Sequence, residues 1–222
     1  MPPRVDLDLA RTSVFLDFDG TISVDDVGLF LLERFAPADQ WRPVAQQFDD
    51  GIVGSRECLL DEWDVLVASV DVPAEESLRA AARQVELDPG FRPLVDGLRA
   101  AGADVAIVSD GFGFYVDDAC AGLGIPILTN TVDWSTGRLE FPHEDRCCPC
   151  TTCGVCKQAP VKDARHRGRT AVLVGDGTSD RKAALLADVV FAKGLLARWC
   201  REAGVPFVEF DGLAGVHDAL LG

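Results

Sequence analysis

The chain has 222 residues, 48% of them hydrophobic and 26% charged, which suffices for a sizeable core and excludes intrinsic disorder. A formal net charge of −15 argues against nucleic acid or an anionic membrane as partner, and no apolar run approaches the roughly 20 residues that span a bilayer. The opening residues 1–8 carry no apolar signal region, so the expectation is a cytoplasmic protein of one domain, or of one domain with a smaller insertion.

In chain order, the apolar run at residues 13–16 predicts a buried strand that ends in Asp17-Phe18-Asp19-Gly20-Thr21. From Val24 to about Leu87 no convincing strand occurs. Instead Val27, Phe30, Leu31 and Phe35 recur at helical spacing, then Leu59, Trp63 and Leu66, then Leu78 and Ala82. Pro73 with Glu75 and Glu76 suits the opening turn of a helix. Residues 24–88 therefore predict a helical cap inserted after the first strand. Residues 91–101 predict a helix with Phe91, Leu94, Val95 and Leu98 on one face and Gly102 just beyond it. Further strands are expected at residues 104–108, 127–129, 170–174, 189–192 and 207–209, with a helix at 180–187. Strands alternating with helices indicate an α/β fold around a parallel sheet, assembled from residues 1–23 and 89–222.

Three acidic motifs carry the chemistry: Asp17 to Thr21, Val108-Ser109-Asp110-Gly111, and Gly175-Asp176-Gly177-Thr178-Ser179-Asp180. Carboxylates crowded at the ends of buried strands are costly unless a cation or a developing transition state uses them. An Asp-x-Asp pair permits one carboxylate to attack phosphorus and the other to handle the leaving group's proton. Ser109 offers a hydroxyl to phosphate oxygens, and Gly111 lets backbone approach without a Cβ. Asp176 and Asp180 supply the hard oxygens that magnesium prefers. Lys157 is the best candidate for the cation that neutralises the transferring group.

With these motifs in this order the chain resembles the haloacid dehalogenase superfamily phosphatases. The resemblance spans nearly the whole length and implies a Rossmann-like core, an inserted helical cap and a magnesium-dependent aspartyl-phosphate mechanism. Carried over, Asp17 is the nucleophile and Asp19 the general acid, then base. Asp17, Asp176 and the backbone carbonyl of Asp19 hold Mg2+. Asp180 supports the metal's water shell or Lys157, and Ser109 and Lys157 grip the phosphoryl oxygens. Within the superfamily the chain is most similar to the phosphoserine-phosphatase-like group. More narrowly it resembles the methionine-salvage phosphatases for 2-hydroxy-3-keto-5-methylthiopentenyl-1-phosphate, through Phe141-Pro142-His143, Cys153-Gly154-Val155-Cys156-Lys157 and the segment from Phe191 to Glu202. One departure is Ser109-Asp110-Gly111 where those enzymes favour Ser-Gly-Gly.

The resemblance implies a small phosphorylated metabolite as partner and a monomer or homodimer. Phosphoserine or another amino-alcohol phosphate is the alternative substrate, with hydrolysis or phosphotransfer as the reaction. A reading of another class is a zinc-binding or redox-sensing module on an inactive scaffold. Cys147, Cys150, Cys153 and Cys156 fall at intervals of three within a Cys-rich loop at residues 143–157. That spacing suits structural Zn2+, reduced or redox-active thiols, or disulfides. Candidates for the substrate pocket are Ser109, Asp110, Gly111, Asp26, Arg56 and Phe112, with Asp25, Phe114 and Tyr115 also near the motifs. The four tryptophans read as packing.

Overall fold

The computed structural model describes residues 3–70, 74–144 and 152–222. After a short helical turn, β1 (Thr12–Leu16) enters the molecule and leads to four helices, α1 (Val27–Phe35), α2 (Ala38–Asp49), α3 (Ser55–Ser69) and α4 (Ala74–Ala82). The chain returns through α5 (Phe91–Ala100), β2 (Asp104–Val108), α6 (Phe114–Cys120) and β3 (Ile127–Leu128). A hairpin of β4 (Thr131–Asp133) and β5 (Arg138–Glu140) precedes α7 (Gln158–His166). The remainder is β6 (Thr170–Gly175), α8 (Arg181–Ala184), β7 (Val189–Ala192), α9 (Gly194–Ala203), β8 (Val208–Glu209) and α10 (Leu213–Leu221).

Six strands form a parallel sheet in the order β3-β2-β1-β6-β7-β8. β1 is central and wholly buried, because its alternating side chains feed two layers. Val14 and Leu16 join the core under α5 and α10, while Phe15 joins a second core with Val161, Leu173 and Leu196 under α7 and α9. This is a Rossmann-like sheet with helices on both faces, as the sequence predicts.

The helical cap lies between β1 and β2. Its two ends are pinned together where Ser23 and Leu87 pair as an antiparallel bridge, with Val24 N donating to Glu86 O at 2.8 Å and Asp88 N to Ile22 O at 2.8 Å. On the α3 face Trp63 is buried against Phe112, Phe114 and Trp134, and its indole N–H donates to Gly137 O at 2.8 Å. One apolar cluster thus runs from the sheet into the cap.

Two local expectations change. The helix expected over residues 180–187 is a 3-10 turn, Thr178–Asp180, followed by the single turn of α8. Asp180 Oδ2 accepts the N–H groups of Asp176 (3.2 Å) and Gly177 (3.1 Å), which curls the loop before a helix can start. The β4–β5 hairpin was not expected, since its strands are only three residues each.

Candidate active site

The chain leaves β1 and β6 toward opposite sides of the sheet, so the crevice beyond their carboxyl ends is a topological switch point. Asp17 follows β1 directly and its N–H donates to Val174 O of β6 at 2.9 Å. Asp176 follows β6, and Ser109 follows β2 with its N–H on Leu128 O at 2.9 Å. Sheet register alone therefore gathers the three motifs.

Lys157, at the N-terminal end of α7, reaches into this crevice with its side chain buried. Its Nζ lies 2.7 Å from Asp17 Oδ1 and 2.8 Å from Asp180 Oδ1. Burial pulls the ammonium's pKa down, but Asp17 and Asp180 together hold it above the ordinary lysine value. Burial, reinforced by Asp180 and Asp176 against the pull of Lys157, pushes the Asp17 carboxyl well above the usual range. Asp176 is pushed up to about 6 by burial and by Asp180. One ammonium thus faces three carboxyl groups in a buried site, more acid groups than it can pair by itself. Oxygens of Asp17, Asp176 and Asp180 all lie within 4.8 Å of one another, a hard-donor set that fits a divalent cation. Thr21 Oγ1 donates to Asp176 Oδ1 at 2.9 Å and orients it. Gly20 is required in this turn: its φ is +69° and a Cβ would sit 2.4 Å from Asp176 Oδ2.

The Asp19 carboxyl faces away from the metal cluster. Its Oδ1 accepts the Val27 N–H at 3.0 Å, one of the orphan amides at the start of α1. Its Oδ2 accepts the Tyr115 hydroxyl at 3.0 Å, with Ser109 Oγ at 3.5 Å. Burial, then the neighbouring charge of Asp26, raise its pKa to about 8. The Tyr115 phenol is held neutral by burial and by Asp19. A carboxyl that keeps its proton near neutrality, beside one paired with an ammonium, is the division of labour acid catalysis needs.

A cavity of about 310 Å³ opens from Asp17, Asp19 and Asp176 toward the cap. Asp110, Gly111, Phe112 and Tyr115 line its core side, and Asp26, Leu29, Leu32 and Glu62 line its cap side. Ser109 lies beneath the cavity wall, with its hydroxyl accepting the Gly111 N–H at 3.1 Å. Asp26 caps α1, accepting the Leu29 N–H at 2.8 Å. Arg56 is not part of the lining: its guanidinium pairs with Glu144 and lies 4.7 Å from the Phe141 ring centroid. Cys153 is half-buried and Cys156 buried, while Cys147 and Cys150 lie outside the described residues, as does Pro73.

Sequence reasoning missed Glu62, whose carboxyl is pushed up to about 8 by burial and then by Asp26. It also missed Asn130, which is buried and donates to Gly111 O at 2.8 Å. Neither belongs to a motif; only the fold brings them to the site.

The profile of the haloacid dehalogenase-like hydrolases matches residues 14–185. A 2-hydroxy-3-keto-5-methylthiopentenyl-1-phosphate phosphatase of Geobacillus kaustophilus is 31% identical over 212 residues, 93% of this chain and 94% of its own. That of an Exiguobacterium species is 29% identical over 204 residues, 90% and 93% of the two chains. Among solved structures, a phosphoserine phosphatase carrying an analogue of its phospho-aspartyl intermediate superposes with a TM-score of 0.72 at 19% identity, covering 95% of this chain and 99% of its own. A substrate-bound phosphoserine phosphatase gives 0.67 at 18% identity, covering 94% and 98%. With a family profile spanning most of its length and its aspartates and lysine gathered at one switch point, the chain belongs to the haloacid dehalogenase-like hydrolases.

Proposed function

We propose that the protein hydrolyses the phosphate monoester of a small metabolite without a carboxylate, of the kind represented by 2-hydroxy-3-keto-5-methylthiopentenyl-1-phosphate. The observation that carries this reading is Asp17 held by Lys157 in the same crevice as Asp19, a buried carboxyl that accepts the Val27 N–H and the Tyr115 hydroxyl. Asp17 Oδ1 accepts both the Phe18 N–H and Lys157 Nζ, at 2.7 Å each, which leaves Oδ2 as the attacking oxygen. A bond forms from that oxygen to phosphorus as the bond to the ester oxygen breaks, and Asp19 gives its proton to the leaving alkoxide. Asp19, now a carboxylate, takes a proton from water; that water attacks phosphorus, the Asp17–phosphorus bond breaks, and inorganic phosphate leaves.

Lys157 and the Ser109 hydroxyl hold the phosphoryl oxygens throughout, with the Gly111 turn beside them. Asp17, Asp176 and the Asp19 carbonyl would hold magnesium, with Asp180 supporting the site through Lys157. When bound, the ion supplies positive charge against the carboxylates and the transferring phosphoryl group. The leaving group sits among Asp26, Phe112 and the cap helices, which exclude water from the acyl phosphate.

Two observations favour this substrate class over phosphoserine. The full-length relatives above act on a ketone phosphate. Arg56, which would suit a substrate carboxylate, is paired with Glu144 off the cavity. The same reading places the enzyme in the cytoplasm as a monomer or homodimer, with structural zinc a further proposal for the Cys-rich loop. A panel of phosphate esters, assayed with and without magnesium, tests it. The expected result is magnesium-dependent release of phosphate, highest for the keto-enol ester; preference for phosphoserine would instead support the amino-alcohol alternative.

A further inference from the structure

The Ser-Asp-Gly turn after β2 sets a carboxylate beside a phosphate site, where it would repel the substrate unless occupied elsewhere. It is occupied. Asp110 Oδ1 accepts the Val155 N–H at 2.7 Å, with the buried Asn130 Nδ2 at 3.4 Å. The chain passes so close here that a Cβ on Gly154 would lie 2.4 Å from the same oxygen. Ser55, the first residue of cap helix α3, lies close enough to Asp110 to lower its pKa and accepts the Gly154 N–H at 3.3 Å. Beside it, the Arg56 N–H donates to Thr152 O at 3.1 Å. The segment from Thr152 to Val155 is thus clamped between the β2 turn and the cap.

Lys157 stands two residues beyond Val155, and its own N–H donates to Val155 O at 3.1 Å. Its ammonium makes two short contacts, to Asp17 and Asp180, from a single buried position. Hydrogen-bond geometry at such distances tolerates little displacement of the backbone that carries it. We propose that Asp110 is a positioning residue for Lys157: its carboxylate fixes the Val155 N–H, Ser55 completes the clamp from the cap, and the phosphoryl-gripping ammonium is thereby aimed. The inference rests on the phosphatase reading, since it gives Lys157 its substrate contact. It also accounts for an aspartate where the similar families favour glycine.

The test compares wild type with Asp110→Ala, Asp110→Asn, Ser55→Ala, Lys157→Ala and the Asp110→Ala/Lys157→Ala double variant. Each is assayed on p-nitrophenyl phosphate and an alkyl phosphate with magnesium, with inorganic phosphate as competitive inhibitor and thermal melting as a folding check. Losing a hydrogen bond to a charged acceptor should lower kcat/KM about tenfold or more in Asp110→Ala, equally on both esters, and weaken phosphate inhibition in parallel. Asp110→Asn should recover most of that loss, because its Oδ1 still accepts from Val155. Added to Lys157→Ala, the Asp110 change should cost nothing further.

A full additional loss in the double variant would overturn the proposal. So would a loss confined to one ester with phosphate inhibition intact, which would make Asp110 a reader of the leaving group. If Asp110→Ala fails to fold, Ser55→Ala decides: a parallel loss on both esters supports the clamp, and none overturns it. Wild type without turnover of either ester, indistinguishable from Asp17→Asn, sinks the phosphatase reading and this proposal with it; wild-type turnover with an undisturbed Asp110→Ala sinks the proposal alone.

Discussion

In the proposed mechanism Asp19 acts as an acid only while it keeps its proton, and burial with the charge of Asp26 raises its pKa to about 8. Turnover of an alkyl phosphate is therefore expected to fall as pH rises through about 8, read from initial rates across a buffer series. The Tyr115 hydroxyl stabilises the Asp19 carboxylate, so Tyr115→Phe should move that alkaline limb to higher pH. Asp19→Asn should cost about 10²- to 10⁴-fold on an alkyl ester and far less on p-nitrophenyl phosphate, whose leaving group needs no proton. At this scale the sequence was informative about Asp17, Asp19 and Asp176, because each sits just past a strand end, and about Lys157, the residue before α7. Tyr115 was legible only as a pocket neighbour. Its contact with Asp19 spans 96 positions, and no local pattern encodes a pairing at that range.

Among the elements, the cap depends on Trp63, which inserts from α3 into Phe112, Phe114 and the hairpin residue Trp134. Replacing so buried an aromatic by alanine removes its packing and leaves a cavity. Trp63→Ala is expected to cost about 3–5 kcal/mol, measured by chemical denaturation. Because the same contact docks the cap over the acid site, kcat/KM for the natural ester should fall in the fraction that remains folded. The helices of the cap were readable from apolar spacing. The β4–β5 hairpin was not, because two strands of three residues carry too little alternation and rely on docking of Trp134. The helix expected at residues 180–187 shrinks to a single turn, because the Asp180 side chain folds back on the Asp176 and Gly177 amides and holds residues 178–180 in a tight 3-10 turn.

The whole molecule carries a strained charge pattern. Asp17, Asp19, Asp176 and Glu62 all have carboxyls raised by burial, so the folded chain binds protons that the unfolded chain releases. Their contribution to stability is complete below the ordinary carboxyl range near 4, and is lost as pH rises through about 6 for Asp176 and about 8 for Asp19 and Glu62. Metal-free protein in a chelator should therefore melt at a lower temperature at pH 9 than at pH 5. Magnesium should restore stability more at the alkaline end, where the carboxylates are charged, by about 2.7 kcal/mol at a hundredfold excess over its Kd. Calorimetry with and without the ion reads both effects.

Strand-and-helix alternation, the order of the acidic motifs and the apolar spacing of the cap are properties of short windows. They sufficed for the fold class and for the meeting of Asp17, Ser109 and Asp176 in one crevice, because local periodicity dictates elements and parallel strands deliver their carboxyl ends to one edge. Tertiary structure decided the rest. It turned Arg56 toward Glu144, gave Asp110 to the Val155 amide and set Tyr115 and Glu62 beside the acids. Those outcomes depend on which groups become desolvated together, and burial is a property of the packed chain rather than of any stretch of it.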